Sequence, residues 1–354
     1  MPIQTTRLSI FLAALVLFCA LHAQALKTGF NQAWLTTNYS SSFLNSGYSE
    51  GESRRLLQMV KDANGSIIRM WLFEGVYIPS VNWDTAGNPL SLKPEVVQNI
   101  QNFLKLARSL NIQVYFTLFD GNSLRHSDNK ELAARFKNLL NNVDHKRDLF
   151  MARVLSPLLH ALRPYENSIF GIDLMNEMDF LIDYFIHPKG FASGWSGAYE
   201  FVSQFRASIH SVLSTPVTAS FSFWFPVRQV LKQKIPVDFV DFYDVHIYNN
   251  NGEITWCDEI REFSRRSGKP IVLGEFGQFQ YPARYSDELQ SKVTEGFLRN
   301  APRCGFKAAL AWRLSDVRPG FNKEARYSYE AFGKPRPAYY IFKALSQDAM
   351  LKSK

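Results

Sequence analysis

Two carboxylates stand at the ends of apolar runs: Glu177 closes Ile169-Phe-Gly-Ile-Asp-Leu-Met-Asn-Glu177, and Glu275 closes Pro270-Ile-Val-Leu-Gly-Glu275. A buried strand that ends in polar side chains delivers them to one edge of a sheet. A single Asn-Glu pair after a strand is most simply an ordinary turn, so it is the repetition that points to chemistry. Two acids at two strand tips are the minimum apparatus for hydrolysing a glycosidic bond.

The spacing says which scaffold could bring them together. Glu177 and Glu275 are 98 residues apart in sequence, with two further strand-like runs between them, near 217–223 and 239–248. That makes three β/α steps of about 33 residues, close to the roughly 31 expected when ~250 residues form an eight-unit barrel. Strands three apart in such a ring face each other across its mouth.

The rest of the chain supplies the other steps. Strand-like runs occur at 26–31, 66–73, 111–120 and 307–312, separated by helical patterns over 50–63, 94–107, 129–140, 146–162, 199–213, 260–267 and 287–299. Pro94 suits a first helical turn, and Val96, Val97, Ile100, Phe103, Leu104 and Ala107 then recur at helical spacing. This alternation is the rhythm of a parallel sheet, and eight strands make the expected fold an α/β (β/α)8 barrel in a single domain. Period-2 alternation sends His246 and Tyr248 to the same side of the sixth strand.

Residues 1–25 hold one basic side chain, Arg7, an apolar run from Leu8 to Leu21 and a closing Ala23-Gln-Ala25, the pattern of a cleavable export signal. The expected mature barrel is therefore residues 26–354, secreted or periplasmic, without membrane insertion and monomeric. The formal charge of +8 keeps such a chain soluble or draws it to an acidic polymer. No RNA motif, helix-turn-helix pattern or phosphate loop is present, so nucleic acid is not an expected partner. Cys257 and Cys304 remain after export. By the strand reading they sit toward opposite ends of the barrel, and two independent buried thiols are expected. Two cysteines without paired histidines make no zinc site.

With the strand ends read together, Arg69, Asn176-Glu177, His246-x-Tyr248, Glu275 and Trp312 stand in order on strands two, four, six, seven and eight. This resembles the clan of retaining (β/α)8 glycosidases, and most closely glycoside hydrolase family 5, which includes cellulases and β-mannanases. The resemblance spans essentially the whole mature chain. It implies Glu177 as acid/base and Glu275 as nucleophile, supported by Arg69, Asn176, His246, Tyr248 and Trp312, with no cofactor and no metal. One position departs from it. The family carries a histidine at the end of the third strand, where this chain reads Thr117-Leu-Phe-Asp120. Asp120 or His126 stands in, or the chain is a divergent member or belongs to a sister family.

Double displacement needs Glu275 ionised and Glu177 protonated, so neighbours must separate two identical side chains. Arg69 and the Tyr248 hydroxyl suit the Glu275 carboxylate, and each acid's charge raises the other's pKa, which is expected to move Glu177 upward. Asn176 is expected to bond the sugar 2-hydroxyl, and Trp312 to floor the subsite of the reacting ring. Asp173, Asp241 and Asp244 read as structural or outward-facing. The segment 178–195, with Phe180, Tyr184, Phe185, Phe191 and Trp195, is either a stacking rim for sugars or a satellite core.

Two alternatives remain at this level. One is a retaining enzyme of another family in the clan, acting on a different and possibly acidic polysaccharide. The other is a non-catalytic carbohydrate-binding barrel.

Overall fold

The computed structural model describes residues 26–35, 41–124, 127–182, 190–232, 235–279, 286–316, 327–331 and 333–351. The expected export signal at 1–25 lies outside them, as do His126, Tyr184 and Phe185.

Parallel strands form the centre: β1 (Lys27–Asn31), β2 (Ile67–Trp71), β5 (Gln113–Asp120), β6 (Ile169–Asn176), β7 (Val217–Thr218), β8 (Ser220–Phe221), β9 (Tyr243–Tyr248), β10 (Ile271–Gly277) and β11 (Ala308–Ala311). They are bonded in the order β7-β6-β5-β2-β1-β11-β10-β9-β8. Because β7 and β8 flank the single residue Ala219, they are two halves of one strand, and the ring is an eight-stranded barrel. Asp173 causes the break: its Oδ1 accepts the Ser220 backbone N–H at 3.0 Å and its Oδ2 the Ser220 hydroxyl at 3.1 Å.

Helices coat the ring: α1 (Glu50–Asp62), α2 (Pro94–Ser109), α3 (Lys130–Leu140), α4 (Lys146–Phe150), α5 (Ser156–Leu162), α6 (Trp195–His210), α7 (Trp224–Lys232), α8 (Cys257–Ser267), α9 (Asp287–Arg303) and α10 (Pro337–Leu351). The longer ones present an apolar stripe to the strands. In α1 the Ser49 hydroxyl caps the Glu52 N–H and Leu56, Leu57 and Val60 are buried. In α2 Pro94 opens the helix and Val96, Ile100, Phe103, Leu104 and Ala107 turn inward. Each large side chain buried this way contributes roughly 1.5–3 kcal/mol, enough for the stripe to dictate how its helix docks.

A hairpin, β3 (Val81–Trp83) with β4 (Pro89–Leu92), follows the second strand, and β12 (Glu330–Ala331) pairs with β13 (Lys334–Pro335) near the end of the chain. The sequence showed neither, because such short strands carry too few residues for a period to emerge.

One expectation is corrected. Cys257 and Cys304 form a disulfide with Cα atoms 4.4 Å apart. The segment after β9 runs back along α9, with Gly252 against Gly296 and its carbonyl accepting from Asn300 Nδ2 at 3.1 Å. Residue 257 is thereby carried to the level of residue 304. Of the two readings of the strand aspartates, Asp173 and Asp244 take the structural one: they point into the barrel and are fully buried. Asp241, by contrast, is on the flank, paired with Arg206 and His210.

Candidate active site

The barrel interior is apolar at one end and polar at the other. Ile67, Phe242, Val272, Ala308 and Leu310 fill the lower layer with Tyr115. Above them lies Arg69, fully buried. A guanidinium out of water must be paired, and this one is paired on both forks. Nη1 donates to Glu275 Oε1 at 2.5 Å and to Asn31 Oδ1 at 3.0 Å; Nη2 donates to Asp173 Oδ2 at 2.7 Å and to Asn176 Oδ1 at 2.9 Å. Arg69 therefore links the tips of β1, β2, β6 and β10.

Glu275 reaches the mouth through an irregularity. The register of β10 against β9 shifts between Leu273 and Glu275, which sets Glu275 beside His246. The extra residue is Gly274, where a Cβ would meet the Asp244 carboxylate at 2.0 Å. Only glycine fits there, and a bulge of this kind re-aims the following side chain. Glu275 Oε2 accepts from the Tyr248 hydroxyl at 2.6 Å. Burial pushes its carboxyl above the usual range and the Glu177 charge adds to this, while Arg69 and Tyr248 pull it down without reversing the shift. The expected supports of an ionised Glu275 are thus in contact with it, yet burial outweighs them.

Glu177 sits one residue beyond β6 with φ 49° and ψ 52°, the left-handed region that few side chains adopt. Its neighbours hold it there: its N–H bonds Ser220 Oγ at 3.1 Å, and the Asn176 carbonyl accepts from Gly121 N at 2.7 Å. At Gly121 a Cβ would lie 2.3 Å from the Glu177 carbonyl oxygen, so glycine is required for the two strand tips to close. Glu177 Oε1 lies 3.0 Å from His246 Nδ1, and Oε2 accepts from Asn122 Nδ2 at 2.9 Å. A carboxylate oxygen from each acid and a His246 ring nitrogen all lie within 4.8 Å of one another. That separation matches the ~5–5.5 Å of retaining glycosidases rather than the roughly 6.5–9.5 Å that leaves room for an attacking water in inverting ones. Burial lowers His246 to about 4, so the ring is uncharged near neutral pH.

Asp120 pairs in register with Asn176, and its Oδ1 accepts the Asn176 amide N–H at 3.0 Å. Burial raises its carboxyl to about 7, with the Glu177 charge adding to the shift. Trp312 packs edge-on against Trp34 at 6.0 Å between ring centres and lies tilted against Trp71 at 5.9 Å, forming an aromatic wall. The mouth is a cleft of about 520 Å³ that includes Trp34, Glu74, Asp120, Asn122, Tyr77 and Phe279 beside the two acids. Trp195 is elsewhere: it opens α6 and stacks on Phe221 at 6.3 Å. Phe191 is buried in the main core and the half-buried Trp195 packs against it, so these two rings join the main core instead of a satellite one or a stacking rim, while Phe180 lines the cleft.

The structure thus brings together Arg69, Asp120, Asn176, Glu177, His246, Tyr248, Glu275 and Trp312. The sequence reading missed Asn122, Ser220, Glu74, Trp34 and Trp71. Of these only Trp71 carried a signal, as the residue two beyond Arg69 on the same strand.

No protein-family model matches the chain. It is 26% identical over 330 residues to a mannan endo-1,4-beta-mannosidase of Mytilus edulis, covering 82% of this chain and 84% of that protein. Among solved structures it is similar to the β-mannanase of the same mussel, with a TM-score of 0.64 and 20% identity over 90% of this chain and 92% of that one. The β-1,4-D-mannanase of Cryptopygus antarcticus gives a TM-score of 0.66 and 18% identity over 91% and 90% of the two chains. The endo-1,4-beta-mannanase of Eisenia fetida gives 0.66 and 19% over 91% of each. These structural likenesses bear on the barrel fold.

Proposed function

We propose that this retaining glycoside hydrolase, similar to the cellulases and mannanases of family 5, is an exported endo-β-1,4-mannanase with Glu275 as nucleophile and Glu177 as acid/base. The observation that carries the mechanism is the confrontation of the two acids within 4.8 Å, Glu275 on Arg69 and Tyr248, Glu177 on His246 and Asn122. Mannan is favoured because the mussel relative that matches most of this chain carries that activity in its name.

In the first step a Glu275 oxygen forms a bond to the anomeric carbon while the bond to the leaving oxygen breaks and Glu177 supplies its proton. In the second step Glu177 takes a proton from water as that water displaces the Glu275 ester. The Asn176 amide has its oxygen on Arg69 and one N–H on Asp120, which leaves its second N–H for the sugar 2-hydroxyl. Trp312 floors the reacting ring. Endo attack is supported by Tyr77 and Phe279, about half exposed at 46% and 54%, which place aromatic faces on the cleft rim where further sugar rings can stack. Export is supported by the apolar run from Leu8 to Leu21 and the Ala23-Gln-Ala25 pattern.

The test is a reducing-end assay on mannan, cellulose and xylan with wild type, Glu177→Ala and Glu275→Ala. Mannan should be the preferred polymer, and both variants should fold and lose turnover. Azide should restore Glu275→Ala on an activated aryl β-mannoside and give the α-mannosyl azide. A Glu275→Gln enzyme with undiminished turnover refutes the assignment.

A further inference from the structure

The loop that follows β5, Asp120-Gly-Asn-Ser123, grips the tip of β6 at three successive residues. Asp120 holds the Asn176 side chain, Gly121 N bonds the Asn176 carbonyl, and Asn122 Nδ2 donates to Glu177 Oε2. Asn122 is itself anchored, its backbone N–H bonding Asp120 Oδ1 at 3.2 Å. We infer that Asn122 is a positioning residue that selects which oxygen of Glu177 carries the exchangeable proton. The inference rests on Glu177 being the acid/base.

An amide nitrogen has no lone pair to offer, so Asn122 Nδ2 can only donate. Oε2 is therefore held as the accepting, carbonyl-like oxygen, and the proton is confined to Oε1. On that side stands His246 Nδ1 at 3.0 Å. A neutral imidazole has one bare nitrogen and one N–H, and it adopts whichever tautomer its surroundings ask for. With the proton on Oε1, Nδ1 is the bare nitrogen and Nε2 carries the hydrogen. Nε2 then faces Asp244 Oδ1 across 3.9 Å, and neither atom has a hydrogen-bond partner among the described residues. The histidine changes tautomer with its ring in place, whereas the asparagine would have to turn its amide over to accept instead of donate. The acid proton is shared between Nδ1 and the leaving oxygen, and Oε2 never competes for it.

Among the described residues, groups facing Glu177 include His246 and Tyr248 from β9, Glu275 from β10, Asp120 from β5 and Asp179 from the turn after β6, with Arg69 one step behind through Asn176. Three of them are acids: the ionised Glu275 favours a protonated Glu177, and Asp120 and Asp179 add to this as they ionise near pH 7. The Asn122 donor favours the ionised form and is the counterweight. Removing it raises the pKa on which the alkaline limb of kcat/KM depends.

The experiment is the pH profile of kcat/KM on a β-1,4-manno-oligosaccharide for wild type, Asn122→Ala and Asn122→Asp, with Glu177→Gln as reference and thermal melts to verify folding. The alkaline limb should move upward by roughly one pH unit in Asn122→Ala and at least as far in Asn122→Asp, which puts a fourth acid beside Glu177. A folded Asn122→Ala whose kcat/KM drops equally at every pH, with the limb unmoved and Glu177→Gln inactive, overturns this inference alone. A Glu177→Gln enzyme that cleaves the oligosaccharide at the wild-type rate overturns it together with the acid/base assignment.

Discussion

Replacing Asp120 by asparagine should make the folded protein less sensitive to alkaline pH. The carboxyl is buried at the rim of the cleft and its folded-state pKa is raised to about 7 from the ordinary 3.8. A raised acid binds more protons in the native than in the unfolded chain between those two values. Its contribution to stability is therefore complete below about pH 4 and is lost as pH climbs through 7. At about 1.36 kcal/mol per pH unit, the whole window amounts to about 4 kcal/mol, of which roughly 3 kcal/mol falls between pH 5 and pH 8. Asparagine has the same shape, and its Oδ1 can still accept from Asn176 Nδ2 and the Asn122 N–H, the bonds that Asp120 Oδ1 accepts now. Asp179, also raised to about 7 by burial, and His246, lowered to about 4, are common to both proteins and cancel in the comparison. The assay is urea unfolding at pH 5 and pH 8. Wild type should lose about 3 kcal/mol more across that interval than Asp120→Asn. Parallel pH dependence in the two proteins would refute the claim that Asp120 is held protonated by its burial.

Arg69→Met leaves Asp173 and Glu275 without their buried cation, and should lower stability by about 3–5 kcal/mol in a denaturant titration. The same change removes an influence that holds the Glu275 carboxyl down, so any residual activity should have its acid limb shifted to higher pH in a kcat/KM profile. The Cys257–Cys304 crosslink spans 47 residues, for which the chain-entropy account gives about 4 kcal/mol. The double Ser variant should show that loss in urea while keeping its kcat on mannan at 25 °C, because neither sulfur lines the cleft.

What could be read from residue order was the part of the molecule governed by short repeats. Apolar runs of strand length separated by helical stripes fix the number, order and direction of the barrel strands, since a strand buried on both faces reads as a continuous apolar run and a helix between two such runs makes them parallel. Period-2 alternation on β9 likewise put His246 and Tyr248 on one side, and in the structure they meet Glu177 and Glu275. Because a parallel barrel gathers the same end of every strand, a polar residue at a strand tip is already addressed to the mouth. That is why Arg69, Asn176, Glu177, Glu275 and Trp312 were legible without coordinates.

What depends on how strands and loops pass one another was not. The pairing of Cys257 with Cys304 follows from a loop that doubles back along α9, and no periodicity records a loop's path. Asp173 and Asp244 carry strand-interior positions that suit either face, and only closure of the ring turned them inward, where Arg69 and Tyr115 receive them. Gly274 and Gly121 look like any glycine in the sequence; their necessity comes from an atom on a neighbouring strand some two ångströms from where a Cβ would stand. Asn122 belongs to the same class. Its role exists because the tips of β5 and β6 touch, and that contact is a property of the closed barrel rather than of either segment.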